Sequence, residues 1–251
     1  MLGYGRMGKE IEAVAADSDH QIVAIFEVDD SASPDKLQPD VDVLIDFSVP
    51  HAVMDNIKVA ADTGIPIVIG TTGWTDALEA AKNMITGAKG AAIYAANFSP
   101  GVNLFFRISE YAAGLMNRFS EYDVFVHEMH HRGKVDSPSG TALHLAEGLL
   151  AAIKRKKTIQ TNRSDGRIAE SALHISSTRA GQVPGTHIVG YESAFDSIEL
   201  KHTARNRRGF AVGAILAAQW LVGKTGFYTI DDLIDDFILG SATVAGNDLQ
   251  N

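Results

Sequence analysis

The sequence predicts an α/β protein whose first half builds a parallel sheet and whose second half is an α+β region with a mixed sheet. Two patterns carry this. Through residue 101, short β-rich runs alternate with helical stretches of about a dozen residues, which is the signature of βαβ units. Beyond it, strand-like runs follow one another with short turns, which favours antiparallel or mixed pairing. The composition agrees: of 251 residues, 45% are hydrophobic and 21% charged, as in an ordinary globular chain. A chain of this size buries roughly 70–75% of its unfolded surface and needs no cross-links.

The elements follow in order. Residues 21–27 (QIVAIFE) read as a strand, and so do residues 41–47 (VDVLIDF), 65–69 (IPIVI) and 91–95 (AAIYA). Helical patterns occupy residues 7–16, 51–62 and 76–84. Their apolar strands, bounded by Gly, Asp and Pro, suit a sheet covered on both faces. In the second half, a helix is predicted over 102–116, a strand over 122–129 and a helix from 139 to about 156. Strands are predicted at 172–178, 186–192 and 197–203 after a polar stretch at 158–168. An apolar helix at 211–222 and a short closing element at 228–239 end the chain. The basic run 154–157 (KRKK) is expected to close its helix, where cations complement the dipole.

Charge and cysteine content narrow the function. There are 22 Lys and Arg against 31 Asp and Glu, a formal charge of −9. An acidic chain is a poor general binder of nucleic acid or anionic membrane. An anionic ligand must therefore be held by local devices. No cysteine is present, which excludes a disulfide framework, thiol catalysis and an iron–sulfur cluster. This fits a reducing, cytoplasmic setting. No apolar run reaches the ~18–20 residues of a membrane span, and no signal-peptide pattern opens the chain.

Gly3-Tyr4-Gly5-Arg6-Met7-Gly8 is a G-x-G-x-x-G turn. The first glycine permits a tight turn, and the second lets backbone approach a pyrophosphate. The third lets the following helix pack closely, with its N-terminus toward the anion. Glu27 ends the next predicted strand, 19 positions after Gly8, where a carboxylate can bind an adenosine ribose. Glycine turns follow later strands as well, notably Gly70-Thr71-Thr72-Gly73. This fingerprint ordinarily follows a strand of about five or six residues, yet only Met1 and Leu2 precede Gly3. The first strand is therefore expected to be shortened, with weaker cofactor binding or stability. Adding five or six upstream residues is expected to raise the melting temperature.

His127-Glu128-Met129-His130-His131 matches H-E-x-x-H, but zinc hydrolysis needs that motif on a helix. The preceding residues are β-branched and aromatic, and on a strand His127, Met129 and His131 face away from Glu128 and His130. No metal is expected. The longer string, Glu128 to Thr141, reads differently. Ser139 can cap a helix whose Gly140 and Thr141 N–H groups remain free for a carboxylate. Lys134 adds a point charge. A histidine there can protonate a developing carbanion or nitrogen anion.

That string, E-x-H-H-x-x-K-x-D-x-P-S-G-T, resembles the signature of the dihydrodipicolinate reductase (4-hydroxy-tetrahydrodipicolinate reductase) family of bacterial lysine biosynthesis. The likeness extends over almost the whole chain. It includes Asp46-Phe47-Ser48, Ala96-Asn97-Phe98-Ser99, Arg179-Ala180-Gly181, Gly185-Thr186-His187, His202-Thr203-Ala204 with Arg207, Phe210 to Ala214, and Gly226-Phe227-Tyr228. The resemblance implies a Rossmann-type dinucleotide-binding domain from residues 1–101 and 207–251. It implies a substrate-binding and tetramerisation domain at 102–206, closing of one over the other, and a homotetramer. It implies transfer of a hydride from reduced nicotinamide to C4 of a cyclic dicarboxylate, with loss of water from its 4-hydroxy form. His130 is then the proton donor, assisted by Lys134, which also binds substrate. His131, Ser139, Gly140 and Thr141 cradle a substrate carboxylate. Gly3, Tyr4, Gly5, Arg6, Met7, Gly8 and Glu27 meet the adenosine end of the cofactor. Phe47, Gly70, Thr71, Thr72, Ala96, Asn97 and Phe98 line the nicotinamide end, and Arg207 lies near the domain junction.

After Glu27 come Val28, Asp29 and Asp30, where NADPH-preferring relatives carry an arginine. A 2′-phosphate would meet carboxylates there, so the cofactor is expected to be NADH or NADPH with a lean to NADH. Three rivals were open at this level. A different nicotinamide oxidoreductase leaves the H-H-x-x-K string unexplained. A zinc hydrolase predicts metal content, and a non-catalytic dinucleotide binder predicts binding without turnover.

Overall fold

The computed structural model describes residues 1–27, 36–37, 40–161 and 164–245. The chain divides into two compact units, Met1–Asn103 with Arg207–Asn251, and Leu104–Asn206.

The first unit is built on a four-stranded sheet. Its strands are β1 (Leu44–Asp46), β2 (Ile67–Ile69), β3 (Ala91–Tyr94) and β9 (Gly226–Thr229), in that order and all parallel. Side chains alternate across it, as the period of two requires. Ile45, Val68 and Ile93 point to one face, where they join Ile11 and Val14 of α1 (Arg6–Ala16), Ala214 and Leu221 of α6 (Arg208–Leu221), and Leu233 of α7 (Ile230–Ala245). Leu44, Ile67, Ile69 and Ala92 point to the other, against Val53 and Ile57 of α2 (Val53–Thr63) and Ile85 of α3 (Leu78–Gly87). Burial on both faces explains why these strands are apolar throughout rather than alternating.

The β pattern at residues 21–27 does not become a full strand. The isolated bridge in this segment is at Phe26, parallel with Leu2, and Leu2 bridges Asp46 on its other side. Leu2 N–H donates to Ile45 O at 2.8 Å and Phe26 N–H to Met1 O at 2.9 Å. Gly3 N–H donates to Phe26 O at 2.8 Å and Phe47 N–H to Leu2 O at 2.9 Å, so Met1–Gly3 lies between the two segments. Behind Met1 lies a cavity of ≈ 670 Å³ lined by residues of both segments together with Ile215, Ala218 and Val222. The Met1 ammonium donates to Ala24 O at 2.7 Å. Burial pushes its pKa from 8.0 down to about 6, with the Asp46 charge opposing. The strand expected at 41–47 is observed as β1, Leu44–Asp46.

The second unit carries a five-stranded mixed sheet in the order β5 (Thr158–Gln160), β6 (Ala172–Arg179), β4 (Asp123–His130), β7 (Thr186–Glu192), β8 (Ser197–Thr203). β5, β6 and β4 are parallel; β4, β7 and β8 are antiparallel. The expected strand bounds at 186–192 and 197–203 are those observed. Phe105 and Ala113 of α4 (Pro100–Met116) and Leu145 and Leu149 of α5 (Gly140–Ala152) pack on Val124, Val126, Ile175, Val189 and Tyr191.

Two expectations are corrected. The helix beginning at Ser139 stops at Ala152, so residues 154–157 do not form its last turn. Lys156 is instead buried, donating to Glu170 O and Ala172 O at 2.8 Å and pairing with Asp123. The closing segment expected at 228–239 is two elements, a fourth parallel strand and then a helix. Val28, Asp29 and Asp30 lie outside the described residues.

Candidate active site

Two sets of residues, one in each unit, hold nearly all the positions singled out in the sequence. The first gathers at the carboxyl ends of β1, β2 and β3, where open α/β sheets take ligands. The glycine turn leads directly into α1, whose N-cap is Gly5. No side chain caps this helix and no acidic residue stands in its first turn, so its leading N–H groups remain available for an anion. Gly3 has φ +82°, and a Cβ there would lie 2.5 Å from Phe47 O. A Cβ on Gly8 would lie 2.7 Å from Gly3 O, whereas one on Gly5 would meet nothing within 4 Å. The outer glycines are thus fixed by packing. The central one leaves open space beside the helix start, which fits a dinucleotide pyrophosphate. Arg6 and Glu27 are exposed at this end. Tyr4 hydrogen-bonds Glu12, and this bond, then burial, then the charges of Glu12 and Glu27 raise its pKa.

Around the neighbouring loops, the Phe47 ring lies against Gly70, where a Cβ would come within 2.2 Å of it, and 6.2 Å from the Phe98 ring. Ala96 and Thr72 are exposed, and Asn97 Oδ1 accepts from Ser99 N–H at 2.8 Å. Thr71 is buried and donates to Asp46 at 2.7 Å. Asp46, quoted only as part of a motif, proves to be the hub of these loops. It also accepts from Ser48 N–H (2.9 Å), Ser48 Oγ (2.7 Å) and Asn56 Nδ2 (2.8 Å). Arg207 is the exposed N-cap of α6.

The second set lies at the end of β4. The H-E-x-x-H run is a strand, and its burial alternates, with Val124, Val126, Glu128 and His130 inward. His127 turns the other way and bonds Ser176 Oγ at 2.8 Å. The zinc arrangement, with His127 and His131 on one helical face, is therefore not formed. Glu128 is fully buried and gripped by Arg179, Nη1 to Oε2 at 2.9 Å and Nη2 to Oε1 at 2.7 Å. His130 Nδ1 lies 2.5 Å from Glu128 Oε2. Burial alone would raise the Glu128 pKa; the Arg179 fork and the His130 bond outweigh it and bring it to about 2. The His130 pKa falls below its ordinary value through burial, against the opposing pull of Glu128.

Ser139 caps α5 as expected, accepting from Ala142 N–H at 3.2 Å, and its Oγ lies 3.1 Å from His187 Nε2. Gly140 N–H is not free: it donates to Asp136 Oδ2 at 3.3 Å, and Asp136 Oδ1 pairs with Lys134 Nζ at 2.7 Å. A carboxylate thus already sits on the cation and the helix start that were read as an anion cradle. Thr141 is half-buried in the first turn of α5, and His131 follows β4 with its carbonyl accepting from Lys134 N–H at 3.1 Å. Sequence reasoning missed Glu128 as a partner of His130, although two residues on one strand share a face. Arg179 and His187 stood in quoted family strings, but their places beside Glu128 and Ser139 were not legible, because β6 and β7 reach β4 only through tertiary pairing.

A glycine turn feeding a helix over a parallel sheet is the arrangement of a dinucleotide-binding domain, and the relatives make the chain an NAD(P)H-dependent oxidoreductase. The chain belongs to the dihydrodipicolinate reductase family, whose members reduce with NAD(P)H. The family model described as "Dihydrodipicolinate reductase, N-terminus" matches residues 1–98, and "Dihydrodipicolinate reductase, C-terminus" matches residues 101–234. The 4-hydroxy-tetrahydrodipicolinate reductase of Christiangramia forsetii is 44% identical over 94% of this chain and 97% of that protein. That of Archaeoglobus fulgidus is 44% identical over 78% of this chain and 77% of its own. A dipicolinate-bound dihydrodipicolinate reductase from Paenisporosarcina sp. TG-14 shares the fold, with a TM-score of 0.71 at 23% identity over 91% of this chain and 96% of that one.

Proposed function

We propose that this chain carries out the reaction for which its relatives are named, reduction of 4-hydroxy-tetrahydrodipicolinate to tetrahydrodipicolinate, with His130 as the proton donor. The observation that carries the residue assignment is the 2.5 Å contact between His130 Nδ1 and the buried Glu128 carboxylate, which leaves Nε2 as the ring's other nitrogen. A bound reduced nicotinamide supplies the hydride for C4 of the ring. Negative charge then develops on the conjugated carbon and nitrogen, and a proton on Nε2 of His130 neutralises it. Water leaves before the hydride arrives: the 4-hydroxyl departs with a proton from the adjacent ring carbon, and the carbon–carbon double bond so formed, conjugated with the ring C=N, takes the hydride at C4 and the His130 proton at the adjacent carbon. Lys134 and the start of α5, with Ser139, Gly140, Thr141 and His131, take a substrate carboxylate. The Asp136 carboxylate marks that position and must yield Lys134 and Gly140 N–H to it.

In this reading the first unit is the dinucleotide domain. Gly3 to Gly8, Glu27 and the strand-end residues Phe47, Gly70, Thr71, Thr72, Ala96, Asn97 and Phe98 serve the cofactor, and Arg207 borders it. The second unit binds substrate and assembles a homotetramer. NADH is the preferred cofactor, because Glu27 and the two aspartates after it repel a 2′-phosphate. No helix among the described residues is long and apolar enough to cross a membrane, and the cytoplasm is the proposed location. The test is oxidation of NADH and of NADPH, with substrate made in place from pyruvate and aspartate semialdehyde by the preceding enzyme. Turnover that is faster per micromolar of NADH is expected. Cofactor binding without any turnover would overturn the substrate, and a lower KM for NADPH would overturn the preference.

A further inference from the structure

The strand that carries His130 also carries the group that controls it. We infer that Glu128, locked by Arg179, is a positioning residue that holds the proton of His130 on Nδ1 and so reserves Nε2 for exchange with the substrate. This rests on the proposed role of His130 as the acid.

The geometry leaves the carboxylate few alternatives. Glu128 is 0% exposed on the side chain, and both of its oxygens are engaged by the planar Arg179 fork. Oε1 takes a further N–H from Ser139 at 3.2 Å, and Oε2 takes His130 Nδ1. Arg179 is itself anchored to Thr178 O and Asp136 O at 2.9 and 2.6 Å. An ionised carboxylate only accepts, so Nδ1 must be the donor, and the neutral ring is the Nδ1–H tautomer. When Nε2 gives up its proton, the bond to Glu128 persists, and the ring does not turn. On the Nε2 side His130 faces Gly185, the residue without a side chain to crowd it. Gly185 has φ +153°, and a Cβ there would lie 3.0 Å from Nε2. The His187 ring stands edge-on at 5.2 Å.

The charges facing His130 come from every side of its pocket. Glu128 lies on its own strand, Arg179 on β6 and Lys134 in the following loop, and His187 sits on β7 with His202 of β8 beyond it. Burial lowers the His187 pKa to about 4, which keeps that ring neutral beside His130. Arg179 and Lys134 both oppose a proton on His130, so Glu128 is the one group there that favours it.

The first experiment is ¹⁵N NMR of the histidine rings in the wild-type protein, with His130 assigned by difference from His130→Gln. The Nδ1–H tautomer is expected at high pH; an Nε2–H ring would overturn the inference without any further variant. The second is the pH profile of kcat/KM. In Glu128→Gln the limb that falls with rising pH should move to lower pH by about one unit, giving about tenfold less turnover at neutral pH. Turnover should recover on acidification, and Glu128→Asp should restore part of it. A limb that stays in place while His130→Gln abolishes turnover overturns the positioning role alone. Wild-type turnover in His130→Gln overturns the reading beneath it.

Discussion

Two buried carboxylates, one in each unit, show how the same group serves two ends. Asp46 and Glu128 each lie at or near the end of a sheet strand, and both are 0% exposed. Asp46 accepts its hydrogen bonds from neutral donors, two hydroxyls, an amide and a backbone N–H, with the Met1 ammonium only near enough to feel its charge. These fix its geometry and tie the loops after β1 and β2 together. Glu128 is surrounded by ionisable partners, Arg179 and His130. Its charge is therefore coupled to the protonation of a neighbour. The first arrangement ties loops together; the second ties a carboxylate to a histidine that can carry a proton.

The sharpest way to break this contrast is to remove one partner from each. Arg179→Met strands a buried anion and should lower stability by about 3–5 kcal/mol. Asp46→Asn keeps most of the hydrogen-bonding shape and should cost about 1–3 kcal/mol, with the pH limb of turnover unmoved. Denaturant titration measures both; equal losses would erase the distinction. Lys134→Ala comes next. It removes the cation beside the start of α5 and should lower kcat and raise the substrate KM, each by roughly tenfold, with NADH affinity unchanged. An unchanged KM would remove Lys134 from substrate binding.

Stability against pH tests the same buried groups without any substitution. Met1 and His187 are bases whose folded pKa values lie below their unfolded ones, so the unfolded chain binds protons first. Stability should therefore fall as pH drops from about 8 to 6 through the Met1 amine and from about 6.5 to 4 through His187. Glu128 is an acid held at about 2, and its contribution is lost as pH falls from about 4.5 to 2.

Much of this was legible in the sequence because it is local. The strand patterns at 186–192 and 197–203, the glycine turn into α1, and Ser139 as an N-cap each depend on neighbours in the chain. What was not legible depends on pairing. The pattern at 21–27 is as β-like as the others, yet it yields an isolated bridge at Phe26. The Arg179 fork and the Lys156 clip to Glu170 and Ala172 arise from contacts between segments that composition does not announce, whereas the Asp136 carboxylate at Gly140 N–H is a loop contact four residues apart that no periodicity marks. The family signature supplied His130 and Lys134; only the fold supplied the carboxylate behind His130.

The most direct measurement is turnover of NADH with the 4-hydroxy substrate by wild-type protein and His130→Gln side by side, with NADH binding followed by fluorescence. The account predicts a loss of 10²–10⁴-fold in kcat with NADH bound equally well. Equal rates in the two proteins would contradict it.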